Sequence, residues 1–247
     1  MCGRMTLTAT PDEVKLAFGY ADTPNFPPRY NIAPTQPLAI VRQVQGRRRF
    51  GLVRWGLIPA WVKDPAAFTL LVNARAETAA EKPSFRGPMR HHRCLVPASG
   101  FYEWRRHDGS RQAFFIRPKQ GGLVAFAGLF ETWSDPAGGE IDTGLILTVP
   151  ANRTVSAVHD RMPAVLAPEL FDAWLDTAHV DSRAASRLLQ PAPEDQFELI
   201  PVSARVNTFA NDDAAVQAPV EDRGAPPPAA PRKAASRPDD GQFDLFG

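Results

Sequence analysis

Four β-type runs follow one another between residues 100 and 149, at 100–105, 112–117, 123–132 and 144–149, with connections too short for a crossover helix. Strands joined this way pair antiparallel. Two further runs, 37–43 and 49–55, flank Val44-Gln45-Gly46 as a hairpin. Helical patterning is confined to short stretches: Thr10, Pro11, Asp12 and Glu13 open a capped helix that Gly19 closes, and 169–175 and 181–189 carry two more. The expected fold class is α+β, mixed and largely antiparallel.

The chain has 247 residues, 44% of them hydrophobic, enough for one sizeable core. Apolar periodicity stops near residue 215, where Ala and Pro take over. A stretch so poor in large apolar side chains cannot offset its ordering entropy, so a folded domain over 1–215 and a disordered tether over 216–240 are expected. No run reaches the roughly 20 apolar residues that span a bilayer, and Arg4, Asp12, Glu13 and Lys15 occupy the place of a signal peptide's apolar stretch. A cytoplasmic protein without membrane partners is expected. Cys2 and Cys94 supply neither a disulfide framework nor a four-cysteine metal site, and no cofactor is expected. The net charge of +1 hides an imbalance: residues 1–118 hold 18 Lys and Arg against 8 Asp and Glu. Such a half points to a polyanion-binding face, unless folding mixes the halves into a neutral surface.

Met1-Cys2-Gly3-Arg4 is where chemistry concentrates. Initiator methionine is usually removed before a residue as small as cysteine, which would put an α-amine and a thiol on adjacent carbons of Cys2. An α-amine is about 10–15% neutral at pH 7 and a lysine only about 0.04%, so the terminal amine is the better nucleophile toward an aldehyde. The tethered thiol would then close a thiazolidine on the imine carbon at high effective concentration.

Three other segments hold polar residues that a plain core does not need. Asn73 and Arg75 follow the apolar run Leu70-Leu71-Val72 and share a face if extended. Glu103 lies amid Phe101, Tyr102 and Trp104, where desolvation raises a carboxyl's pKa and suits it to proton transfer; the plain alternative is an outward Glu103 paired with Arg105. His159 and Arg161 stand just before Pro163, which is expected to block regular structure. His91, His92 and Cys94 lack a fourth ligand, so no metal site is expected, and Cys94 reads as a buried strand residue. Arg47-Arg48-Arg49 is either a solvated hairpin tip or a source of phosphate contacts.

Seven ordered motifs together resemble the SRAP family, the SOS response-associated peptidases or abasic-site processing proteins. They are Met1-Cys2-Gly3-Arg4, Tyr30-Asn31-Ile32-Ala33-Pro34, Arg54-Trp55-Gly56-Leu57, Asn73-Ala74-Arg75-Ala76-Glu77-Thr78, Gly100-Phe101-Tyr102-Glu103-Trp104, His159-Asp160-Arg161-Met162-Pro163 and Pro201-Val202-Ser203. The resemblance implies twisted antiparallel strands flanked by helices, and covalent trapping of abasic sites in single-stranded DNA by Cys2. It further implies catalytic roles for Asn73, Glu103 and His159, phosphate contacts from Arg4, Arg75 and Arg161, and stacking or wedging by Trp61 and Pro34. An autopeptidase step that removes Met1 and a nucleoid-associated location belong to the same expectation.

Two other readings compete. Glutamine amidohydrolases also begin Met-Cys-Gly and use the cysteine as nucleophile, and a passive single-strand-binding adaptor would need no chemistry at Cys2. Outside the resemblance, Gln242-Phe243-Asp244-Leu245-Phe246 looks like the peptide by which bacterial replication and repair proteins dock on the β sliding clamp, with Gln242, Leu245 and Phe246 as the contacting residues within 241–247.

Overall fold

The computed structural model describes residues 2–107, 110–135 and 138–222. Its strands form two sheets. In the larger, the Glu140–Pro150 strand pairs antiparallel with Val124–Ser134 and parallel with Arg47–Trp55. Arg47–Trp55, Pro37–Val44, Arg93–Ala98 and Val124–Ser134 complete the ring, so five strands close into a small barrel. Closure removes exposed edges. Gly128 and Gly144 permit the tight crossing, because a Cβ there would stand 2.7 Å from a Val96 methyl and 2.8 Å from a Val53 methyl. The α+β class holds, with parallel pairs where Glu140–Pro150 meets Arg47–Trp55 and the short Asn73–Arg75 strand.

The smaller sheet runs in the order Phe197–Val202, Ser110–Pro118, Gly100–His107, Met5–Leu7, Arg29–Ile32. Alternation along its strands separates two apolar layers. Phe101, Phe114, Ile116 and Phe197 join the main core, whereas Tyr102, Ala113, Phe115 and Val202 form a second cluster with Val206 and Val216.

The local signals are realised with two adjustments. Thr10 accepts from the Glu13 N–H at 3.3 Å while the Glu13 carboxylate accepts from the Thr10 N–H at 2.7 Å, closing a capping box on Pro11–Phe18. The expected three-residue hairpin turn shortens to Gln45-Gly46, both at positive φ, so Val44 stays in its strand opposite Arg47. A mirror-image turn of this kind matches the twist of the flanking strands. The Pro83–His91 helix has no sequence signal of comparable strength, since Lys82 offers no capping acceptor and Gly87 and Pro88 interrupt its pattern. Arg161–Pro163, expected to be irregular, pairs as a short strand with Glu140–Pro150. A proline is tolerated at such an edge.

The described residues just beyond the expected boundary at 215 pack on the domain. Val216 is fully buried in the second cluster, Pro219 bridges to Val202, Val220 N–H donates to the Pro201 carbonyl at 2.9 Å, and Asp222 pairs with Arg105. One buried valine and a few polar contacts anchor a segment whose composition alone reads as tether. Val216→Ala is expected to cost about 2 kcal/mol, and to lower the melting temperature by about 5 °C in thermal unfolding followed by circular dichroism. The rest of the expected tether and the peptide 241–247 lie outside the described residues.

Candidate active site

The start of the chain is anchored. Met5–Leu7 is clasped between two strands, with Met5 opposite Phe101 on one side and opposite Ile32 on the other. Tyr102 N–H donates to the Arg4 carbonyl at 2.9 Å, so residues 2–4 continue alongside Gly100–His107 towards Glu103. Cys2 is fully buried as a result. Its main-chain carbonyl accepts from Asn73 Nδ2 at 2.7 Å, and its thiol donates to the Arg4 carbonyl at 3.7 Å.

Asn73 reaches Cys2 from the strand Asn73–Arg75, which lies parallel to Glu140–Pro150 with Asn73 opposite Ile146. The extended geometry read from the sequence is present: Asn73 and Arg75 share a face and Ala74 is buried on the other. With Nδ2 committed to Cys2, Asn73 Oδ1 is buried and has no hydrogen-bond partner among the described residues.

Glu103 projects from the core-facing side of its strand and is only 3% exposed. Burial raises its carboxyl above the ordinary glutamate range, with the nearby His159 pulling the other way. Burial, and then the Glu103 carboxylate, push the Cys2 thiol well up. The thiol is therefore held protonated. Glu103 and His159 line one open cavity of about 850 Å³ with Gly3, Arg4, Trp104 and Arg106. His159 Nδ1 lies 2.9 Å from the Arg161 N–H and 3.0 Å from Asp160 Oδ1. The backbone donor is fixed whereas Asp160 is exposed, so the neutral ring carries its proton on Nε2.

The arginines divide by partner. Arg75 is exposed, and its charge, after the stronger hydrogen bond from Arg161, helps hold the Glu77 carboxyl below the ordinary glutamate range. Arg4 lines the cavity; its two terminal nitrogens serve Asn31 Oδ1 at 2.8 Å and the carbonyls of Val206 and Asn207, while its Nε is buried without a hydrogen-bond partner among the described residues. Arg161 is held within the protein: both arms of its guanidinium grip Glu77, and one also donates to the Thr148 carbonyl. The Glu77 carboxylate, from the segment that carries Asn73, occupies the fork expected to meet a phosphate. In the triplet 47–49, Arg48 holds the Phe18 carbonyl and Asp172, and Arg49 pairs with Asp22.

Trp61 and Pro34 do not line the cavity. Trp61 is 59% exposed and meets Phe68 edge-on at 5.6 Å, and Pro34 occupies a turn after the Arg29–Ile32 strand. His92 pairs with Glu131, and Cys94 is a buried strand residue. Arg105 pairs with Asp222 rather than Glu103. Sequence reasoning left out Arg106, Arg111 and Asn207, which line the cavity with Trp104. Trp104 donates to Asn207 at 2.8 Å, and the Arg4 and Arg111 guanidiniums each lie 5.9 Å from its ring centroid. Two arginines within a β-hairpin that also carries a tryptophan and a glutamate are the signal that was there to find.

Arginines, a tryptophan, a carboxyl and an imidazole line one open cavity, and Cys2 lies buried behind it, held through its carbonyl by Asn73 and close enough to Glu103 to feel its charge. Residues 1–209 match the family model described as SOS response associated peptidase (SRAP), and this chain belongs to that family. It is similar to the abasic site processing protein YoqW of Bacillus subtilis (strain 168), 39% identical over 216 residues that make up 86% of this chain and 96% of that one. The abasic site processing protein HMCES of Gallus gallus is 34% identical over 265 residues, 90% of this chain and 78% of its own. A crystal structure of a Bacteroides thetaiotaomicron protein shares the fold at a TM-score of 0.79 and 25% identity, covering 89% of this chain and all of that one.

Proposed function

We propose that this protein traps abasic sites in single-stranded DNA as a covalent adduct on Cys2 and so shields them. The observation that carries the reading is the burial of Cys2 against Asn73 and Glu103, in a family whose similar members are named for abasic-site processing. Hydrolysis of the Met1–Cys2 bond frees the α-amine. The abasic sugar is mostly a closed hemiacetal, and proton transfer by His159 and Glu103 opens it to the aldehyde. The amine attacks C1′ and water leaves, giving an imine. The thiol sulfur then adds to the same carbon as its proton passes to nitrogen, which closes the thiazolidine. Asn73 holds the cysteine backbone, and its unpartnered Oδ1 accepts from the amine. The amine-first order needs no thiolate for its first bond, whereas an amidohydrolase's cysteine attacks its amide as the thiolate.

Arg75, Arg106 and Arg111 form the phosphate-binding set, with Trp104 as the stacking face and Trp61 and Pro34 as outlying contacts. Each of Arg75→Ala, Arg106→Ala and Arg111→Ala is expected to reduce the slope of log affinity against log salt by about 0.7, the value for one single-strand phosphate. Fluorescence anisotropy over a salt series measures it. An unchanged slope in all three variants would remove these residues from the interface. The amidohydrolase reading predicts glutamine hydrolysis, and the passive adaptor predicts binding indifferent to the lesion; an assay for ammonia release and a comparison of damaged with undamaged strands separate the three.

The C-terminal peptide adds delivery to this reading. Asp222, the last described residue, pairs with Arg105, itself part of the cavity wall. On the tether reading of the sequence, the stretch from 223 to 241 would reach about 22–26 Å, which would let Gln242, Leu245 and Phe246 hold the β sliding clamp while the domain searches nearby single strands. Titration of the clamp with residues 236–247, and with the same peptide carrying Leu245→Ala and Phe246→Ala, is expected to show micromolar binding by the first only. Equal binding by both, or none, would remove the clamp from the account.

A further inference from the structure

Thr35 stands at φ 73°, in the left-handed region that a β-branched residue rarely adopts. It is the third residue of the turn 33–36, closed by the Gln36 N–H to the Ala33 carbonyl at 3.2 Å. Glycine usually fills this place in a turn with positive φ. Neighbours impose the conformation: the Thr35 N–H donates to the Trp55 carbonyl at 2.7 Å, the Trp55 N–H donates back to the Gln36 carbonyl at 3.0 Å, and Gln36 Oε1 accepts from the Ala33 N–H at 3.0 Å. Strain of this kind persists only where the surroundings over-determine it, and it gathers at functional sites.

The position of the turn gives that strain a use. Arg29–Ile32 runs antiparallel to Met5–Leu7 with Ile32 opposite Met5, so the turn leaves the sheet at the end where residues 2–4 lie. Trp55, which grips the turn, also donates through its indole to the Val72 carbonyl, next to the Asn73 that holds Cys2. Thr35 itself is exposed, and its hydroxyl has no partner among the described residues. A strained threonine where glycine would rest without strain implies that the side chain does something glycine cannot. We infer that the Thr35 hydroxyl donates a hydrogen bond to a non-bridging phosphate oxygen of the strand bound at Cys2, with the strained turn fixing where that phosphate sits.

This inference rests on the single-strand reading above, and its test separates the two. Thr35→Val keeps the shape and strain but removes the hydroxyl, Thr35→Gly removes both, and Thr35→Ser keeps the donor. Affinity for a labelled single strand is expected to fall about tenfold in the valine and glycine variants and to stay near the unmodified value in the serine variant, the size of one hydrogen bond to a charged group. Thr35→Gly should at the same time raise the melting temperature by about 2 °C, so that stability and affinity move in opposite directions. Scanning the oligonucleotide with neutral methylphosphonates should find one position at which the valine variant no longer binds worse than the unmodified protein. If the unmodified protein binds single strands and neither the valine nor the glycine variant binds worse, or no methylphosphonate position cancels the difference, the inference fails and the functional reading stands. If the unmodified protein binds no single-stranded DNA, both fail.

Discussion

Cys2→Ala is expected to abolish the heat-stable product with abasic single-stranded DNA while leaving reversible binding of that strand within about twofold, because phosphate contacts dominate affinity. The substitution removes only the thiol. Asn73 bonds the main-chain carbonyl of residue 2, and Met5 keeps its two strand partners, so the site's frame survives. An imine can still form on the free amine, but without sulfur it hydrolyses rather than closing to a ring. Retaining Met1 behind an uncleaved tag should prevent both steps, since a peptide nitrogen cannot attack an aldehyde. A denaturing gel after mixing with an abasic oligonucleotide reads both outcomes, and a stable adduct of undiminished yield in Cys2→Ala would refute the thiazolidine.

Glu103→Gln should slow adduct formation about 100-fold, the lower range for loss of a general acid–base group, with little change in DNA affinity. The pH dependence of stability provides an independent check. Burial raises the native carboxyl above its ordinary value of 4.5, so the native state binds the proton more tightly than the unfolded chain does. Its favourable contribution is complete below the unfolded value and is lost as pH rises through the raised native value. The unmodified protein should therefore lose stability over that window, and Glu103→Gln, neutral throughout, should lack this decline and be no less stable at pH 7. A variant that unfolds instead would make Glu103 a structural residue.

What the sequence made legible was local. The capping box at Thr10, the hairpin around Gln45-Gly46 and the shared face of Asn73 and Arg75 depend on neighbouring residues, and all three are present. The polar residues that resembled a family's motifs also meet: Cys2 touches Asn73, and Glu103 shares a cavity with His159 and Arg4. What stayed hidden depends on partners remote in the chain. Arg161 and Glu77 are 84 positions apart and Arg105 and Asp222 are 117 apart, so nothing local separates a paired arginine from a free one. Composition alone did not single out Val216, which is buried in the second apolar cluster through contacts with residues remote in the chain. Alternation in Gly100–His107 was readable, but which of its faces met the core was not until Met5–Leu7, only three residues long, paired with it.

In the proposed crosslink Cys2, once freed of Met1, joins an abasic sugar through both its amine and its thiol. Intact mass spectrometry of the purified protein, alone and after mixing with an abasic single-stranded oligonucleotide, tests this most directly. The expected result is a protein lacking Met1, and a single new species at the summed mass of protein and oligonucleotide less one water, whose fragments place the link on Cys2. A chain that lacks Met1 and yields no such species, or one linked through a lysine, would contradict it.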